Sequence, residues 1–136
     1  MMCMKGYIIH IEQETLNNTD FRRVLYTGRH SQLVLMSIEP GDEIGAETHA
    51  DVDQFLRIES GEGKAVIDGK ERPLEDGSAI VVPAGARHNI INTSQDKPLK
   101  LYTIYSPPEH LDKTIHTTKA DALQDENDHF DGTTTE

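Results

Sequence analysis

Two stretches of the chain carry residue types that bind metal ions, and their spacing predicts where those side chains point. Glu47 and His49 are two positions apart, so on an extended strand they share one face. Gln54 follows a short loop and starts the next strand, on the face predicted to point into the interior. His88 begins another strand after a Pro-Ala-Gly turn. Two imidazoles, a carboxylate and an amide oxygen suit Fe²⁺, Mn²⁺, Ni²⁺ or Zn²⁺.

The turn residues around these positions form two spaced motifs. Residues 41–61 read Gly, five residues, Glu-Thr-His, four residues, Gln, six residues, Gly. Residues 77–92 read Gly, five residues, Pro-Ala-Gly, two residues, His, three residues, Asn. In order and spacing, from about Val34 to Tyr105, the chain resembles the cupin superfamily. The second motif matches that family at every fixed position, whereas the first departs from it at two.

Both departures concern residues that the resemblance implies are metal ligands. Glu47 stands where the family usually has its first ligand histidine, and Gln54 stands where it has a glutamate. His49 and His88 match the other two ligands. The usual shell of three histidines and one glutamate carries one negative charge, and this set also carries one. The resemblance therefore implies one divalent metal ion here. The alternative is a metal-free site in which Glu47 and Gln54 hydrogen-bond each other or His49.

The rest of the sequence predicts an all-β fold. Short strands of alternating or fully apolar character are each bounded by Gly or Pro turns, which favours a sandwich or barrel over a βαβ fold. The predicted strands cover residues 31–39, 54–60, 64–67, 78–82, 88–92 and 99–105. The resemblance implies a double-stranded β-helix (jelly-roll) cupin barrel with little helix.

One domain accounts for the 136 residues. We expect N-terminal strands packing on the barrel over residues 1–30 and the barrel over 31–106. A C-terminal arm is expected over 107–126, and an acidic, disordered tail over 127–136. The net charge of −11 argues against nucleic acid or an anionic membrane as partner. A single cysteine, Cys3, and no recognisable secretory signal predict a cytoplasmic protein.

Further side chains are candidates for a substrate site. Glu47 could serve as general base, and Arg87 and Tyr102 are predicted to bind substrate, although only one of Tyr102 and Tyr105 can face the interior. His110 and His116 are predicted to be surface residues of the arm. The alternative is that they fold over the barrel mouth.

The resemblance allows two classes of function. The favoured one is a metal-dependent enzyme, of isomerase or dioxygenase type, that acts on a small polar or sugar-like molecule. The alternative is a non-catalytic module that binds or senses a small ligand such as a sugar. We also predict a homodimer, because Phe55, Val34, Met36 and Ile38 are expected to form an apolar outer surface.

Overall fold

The computed structural model describes residues 5–136, so Cys3 lies outside the described residues. In chain order the elements are α1 (Ile11–Asn17), β1 (Arg22–Thr27), β2 (Gln32–Ile38), β3 (Glu47–Thr48), β4 (Asp53–Ser60), β5 (Gly63–Ile67), β6 (Lys70–Leu74), β7 (Ala79–Val82), β8 (Arg87–Asn92), β9 (Leu99–Ser106), β10 (Ile115–His116) and α2 (Lys119–Gln124). None of the helices within residues 5–136 has the length and apolar character that crossing a membrane requires.

The strands form two antiparallel sheets that enclose one core, and the predicted all-β fold is confirmed. The larger sheet has six strands in the order β10-β1-β2-β9-β4-β7, and the smaller has four in the order β3-β8-β5-β6. Asp68 and Gly69 form the predicted tight turn between β5 and β6, both with positive φ. Some neighbours in each sheet, such as β4 with β9 and β3 with β8, are far apart in sequence, so residues from distant motifs are brought together.

The face of β2 that points into the core differs from the prediction. Val34 lies opposite Thr103 and Met36 opposite Leu101, and both, with Ile38, belong to the buried core rather than to an outer apolar surface. The other face of β2 carries Leu35, which is also buried, because α1 packs across this sheet. The homodimer therefore stays a prediction, and of the four residues proposed for the apolar outer surface only Phe55 lies on the outer face.

The N-terminal region, where strands were expected over residues 1–30, contains the strand β1 and also the helix α1. Its sequence, Ile-Glu-Gln-Glu-Thr-Leu-Asn, is rich in good helix formers, and Glu12 and Glu14 lie in the first turn, where a negative charge is favoured. Lys100 on β9 holds the helix end, because its Nζ donates to the carbonyls of Leu16 at 2.7 Å and Asn18 at 2.9 Å.

The C-terminal residues pack against the barrel. Strand β10 pairs with β1, and α2 begins at a capping box formed by Thr118 and Asp121. Residues 127–136 form no helix or strand, but Thr135 N donates to Thr27 O at 2.8 Å and Phe130 N to Glu109 O at 3.0 Å. The structure thus places against the barrel a segment for which the sequence predicted disorder.

One prediction concerns the glycine that ends the first motif. Gly61 has φ +98°, and a Cβ there would lie 2.6 Å from Pro98 O; Gly77 has φ +90° with open space around it. Both alanine variants must place a side chain at positive φ, which costs about 1–2 kcal/mol. We expect Gly61→Ala to lose roughly 1–3 kcal/mol more, because the backbone must also move. Urea unfolding followed by circular dichroism measures both losses, and equal losses would contradict the close-contact argument.

Candidate metal centre

Strand pairing brings the predicted ligands to one end of the barrel interior. In the smaller sheet, Glu47 on β3 lies opposite His88 on β8. In the larger sheet, Gln54 on β4 lies opposite Tyr105 on β9. His49 follows β3, and its carbonyl accepts a hydrogen bond from Gly85 N at 2.8 Å, which joins the two motifs.

Three of the four predicted ligands line a small cavity, and His49 lies beside one of them, Glu47. Glu47 Oε2 is 3.1 Å from His49 Nε2, and the ring centroids of His49 and His88 are 5.2 Å apart. Glu47, Gln54, His88 and Tyr105 line a cavity of about 10 Å³. That volume suits a single water molecule or an ion. Glu47, whose side chain is 34% exposed, connects this point to solvent.

The donor groups of Gln54 and His88 are held away from the cavity. His88 Nδ1 lies 3.1 Å from Ala86 O, and because a carbonyl can only accept, Nδ1 is the donor and Nε2 is the nitrogen left to bind an ion. Gln54 Nε2 donates to Thr103 Oγ1 at 3.0 Å, while the Thr103 hydroxyl donates to Phe55 O at 2.9 Å. This leaves Gln54 Oε1 buried, with no hydrogen-bond partner in the described chain.

His49 lies between two carboxylates. Its Nε2 faces Glu47 at 3.1 Å and its Nδ1 faces Glu109 Oε1 at 3.5 Å. Hydrogen bonds to Glu109 and then Glu47 raise the pKa of His49 to about 9, against the opposing effect of burial. Burial tends to raise the pKa of Glu47, but the hydrogen bond and charge of His49 outweigh it, so that pKa lies below its ordinary value. Without a metal ion, His49 is therefore a cation.

The donor chemistry fits a divalent metal ion, although the side chains are not closed around one point. Within residues 5–136, no group of three or more His, Cys, Asp and Glu side chains is arranged to hold a metal ion. The set nevertheless offers a carboxylate, two imidazoles and an unpartnered amide oxygen. Binding therefore requires the side chains to close around the ion.

Two residues predicted to bind substrate lie elsewhere. Tyr102 is on the outer face of the larger sheet, with its ring 6.3 Å from that of Phe55. Arg87 is exposed, because it precedes His88 on β8 and so points to the opposite face. The tyrosine at the site is Tyr105, whose edge-on ring contacts include His49 at 5.9 Å. Burial raises the pKa of Tyr105, so it stays protonated.

The arm histidines, predicted to be on the surface, are buried. His110 is 6% exposed and His116 is 4% exposed. His110 Nδ1 donates to Asp128 Oδ2 at 2.7 Å, and His116 Nε2 donates to Asp125 Oδ2 at 2.9 Å. His110 also packs against Tyr105, with ring centroids 4.9 Å apart. For His110, the structure agrees with the alternative prediction, in which the arm folds over the barrel mouth.

Sequence reasoning did not single out Glu109, Arg22 or Asp128. Buried Arg22 extends its Nη1 to 3.8 Å from Asp128 Oδ2 and 3.4 Å from His116 Nδ1. Burial tends to raise the pKa of Asp128, but His110, the Leu111 N–H and Arg22 hold it at about 2. Burial lowers the pKa of His110, despite Asp128. The only sequence signal for Glu109 was its position next to His110. Its contact with His49 is visible only in the folded arm.

Comparisons with known proteins agree with this architecture. Residues 34–105 match the cupin domain family. The chain is 51% identical over 126 residues to the protein YrkC of Bacillus subtilis, covering 88% of this chain and 67% of that protein. It is 48% identical over 108 residues to a protein of Acanthamoeba polyphaga mimivirus, covering 76% of this chain and 67% of the relative.

A solved structure extends the similarity to nearly the whole chain. The crystal structure of BH2720 from Bacillus halodurans is 44% identical and superposes with a TM-score of 0.87. The match covers 89% of this chain and 96% of that one, so it includes regions outside residues 34–105.

The buried ion pairs of the tail give a pH-dependent prediction. The pKa of Asp128 is about 2 in the folded protein, against an ordinary value of 3.8. A carboxyl whose pKa is lower in the folded protein than in the unfolded chain stabilises the fold at pH values above its unfolded-state pKa. This stabilisation is lost as the pH falls through the folded-state pKa. Asp128→Asn should therefore lower the free energy of unfolding by about 2 kcal/mol at pH 7, with a difference that shrinks from pH 4 to pH 2.

Chemical unfolding at several pH values measures that difference. The matched control is Glu126→Gln, which changes an exposed acid that makes no hydrogen bond or ion pair within the described residues. The control should keep wild-type stability throughout. An Asp128→Asn difference that stays constant between pH 7 and pH 2 would contradict the assignment.

Proposed function

This chain belongs to the cupin family, and on that premise we propose that it is a metal-dependent enzyme acting on a small polar molecule. Cupins commonly bind metal ions, and the family includes both metal-dependent enzymes and binding modules. The proposed ligands are Glu47, His49, Gln54 and His88.

The observation that carries the proposal is the unpartnered oxygen of Gln54. This side chain is 4% exposed, and its Oε1 has no hydrogen-bond donor within the described residues, although Nε2 is bound by Thr103. Leaving a buried acceptor unpaired costs about 1–3 kcal/mol. A cation between Gln54, His88 and Glu47 would satisfy this oxygen. A metal ion would therefore account for a buried acceptor that the described residues leave unpaired.

The residues of the site support proton-transfer chemistry. A bound divalent ion would supply Lewis-acid stabilisation of negative charge on substrate oxygens. Glu47 has one carboxylate oxygen, Oε2, engaged with His49, and its side chain is partly open to solvent. Its lowered pKa keeps it ionised, so the other oxygen can accept a proton from a substrate carbon or hydroxyl and return it. This suits an isomerase, and a dioxygenase is the other class that the family allows.

The surroundings favour an uncharged substrate. Arg87 faces away from the cavity, and Arg22 is engaged with Asp128, so neither offers a cation for a phosphate group. The cavity of about 10 Å³ admits only part of any organic molecule. We therefore propose a small, sugar-like molecule that presents two adjacent oxygens from the solvent side of Glu47.

The second candidate is a binding module with a structural metal ion. The same small cavity favours it, since a site with room for one ion needs no open position for substrate. In a binding module, the four proposed metal ligands would be the same, but Glu47 would have no catalytic role.

Metal binding is tested by the ligand variants. Elemental analysis of protein purified without chelators should find one divalent ion per chain. His49→Ala and His88→Ala should each lose most of it, because each removes one of four donors. His129→Ala, which removes an exposed histidine of the tail, should keep the wild-type content. Full metal retention by both ligand variants would refute the site.

Turnover separates the two candidates. Metal-replete protein is incubated with a panel of neutral sugars, followed by NMR for isomerisation and by an oxygen electrode for oxygen uptake. If Glu47 transfers the proton, Glu47→Gln should lower turnover about 100-fold or more, measured on protein with verified metal content. Metal-replete protein that binds a sugar but never converts it supports the binding module.

A further inference from the structure

We propose that Glu109 is a positioning residue of the metal centre, which makes the C-terminal arm part of the site. Its carboxylate would hold the Nδ1 proton of His49 and so direct Nε2 to the ion. The inference rests on the proposed metal-binding function. It assigns a role to a residue outside both sequence motifs.

Glu109 is placed at the outer nitrogen of His49. Its Oε1 lies 3.5 Å from His49 Nδ1, while His49 Nε2 faces Glu47 on the cavity side. The His49 side chain is only 10% exposed, so few water molecules can compete for its Nδ1. His88 has an equivalent oxygen partner on Nδ1, the carbonyl of Ala86. Each histidine thus has an oxygen beside its Nδ1, the arrangement that orients the other nitrogen of a metal-binding histidine.

The main chain around Glu109 is fixed by a buried glutamine. Gln32 Oε1 accepts from Glu109 N at 3.2 Å and from His110 N at 3.0 Å, and Gln32 Nε2 donates to His110 O at 2.8 Å. Gln32 lies on β2 opposite Tyr105 of β9, at the level of the site. Three hydrogen bonds from one barrel side chain therefore set the position of residues 109 and 110.

A second anchor comes from the tail. Asp128 Oδ2 accepts from His110 Nδ1 at 2.7 Å, and Asp128 Oδ1 accepts from Leu111 N at 3.0 Å. Phe130 N donates to Glu109 O at 3.0 Å. The His110 ring packs edge-on against Tyr105, which itself contacts His49. The residue next to Glu109 is thus tied both to the tail and to the wall of the site.

These anchors give Glu109 the rigidity that orienting a ligand requires. A carboxylate on the outer nitrogen of a ligand histidine fixes the tautomer and strengthens the metal bond, and its loss typically lowers metal affinity about 10–100-fold. A freely rotating surface glutamate would contribute little. Glu109 instead extends from a fixed main chain towards a histidine that is mostly buried.

The test compares Zn²⁺ affinity, measured by chelator competition, for wild type, Glu109→Gln and Glu109→Ala. Glu109→Ala should bind Zn²⁺ about 10–100-fold more weakly. Glu109→Gln keeps the size and an acceptor oxygen, so it should show a smaller loss. Glu126→Ala, an exposed acid of the tail, is the matched control and should bind as wild type.

A second readout separates positioning from general stability. In the zinc-loaded protein, NMR should detect a His49 Nδ1 proton protected from exchange with water, and Glu109→Ala should make that exchange faster. A purely structural role of Glu109 would lower thermal stability without changing this proton. Wild-type affinity and protection in Glu109→Ala would overturn the inference while the metal site stands. Failure of the wild type to bind Zn²⁺ would overturn both.

Discussion

The register of β9 between β2 and β4 determines which side chains meet inside the barrel. Gln32, Tyr105 and Gln54 lie side by side at one level of the larger sheet because Tyr105 pairs with both glutamines. A slip of one residue would move Tyr105 to the outer face and bring Ile104 inward. Gln32 then positions the arm and Gln54 lines the small cavity of the proposed ion site, so both parts of the proposed centre depend on this alignment.

The buried polar side chains differ in how many of their polar atoms have a hydrogen-bond or ion-pair partner. Arg22, Asp128 and His110 are buried, but charge and hydrogen bonds compensate most of their desolvation. Arg22 Nε and His110 Nε2 remain without partners in the described chain, as does Gln54 Oε1. Of these atoms, only the last belongs to a residue that lines the cavity beside a carboxylate and an imidazole. Its position is the reason for proposing a ligand site here rather than at the Arg22, Asp128 and His110 network.

The four proposed ligands came from the resemblance to cupins together with strand parity, and both can be read from the sequence because motif spacing and turn residues are short-range properties. Local sequence reasoning could not decide which face of β2 points into the core, because Val34 and Leu35 are equally apolar. Both faces are buried because α1 covers the outer one. The choice between Tyr102 and Tyr105 depends on pairing with a strand about fifty residues away. Glu109 and His110 were beyond local reasoning, because their positions follow from contacts with Gln32 and Asp128.

The second carboxylate changes the charge argument for the site. Counting the four ligands alone gives one negative charge, carried by Glu47. Glu109 adds another on the far side of His49, so a positive charge at this imidazole is favoured from both directions. The proton on His49 supplies that charge in the metal-free protein, which is why its pKa rises to about 9. The proposed divalent ion would have to displace this proton, but it would bring two charges and could also satisfy Gln54 Oε1, which has no partner in the described residues.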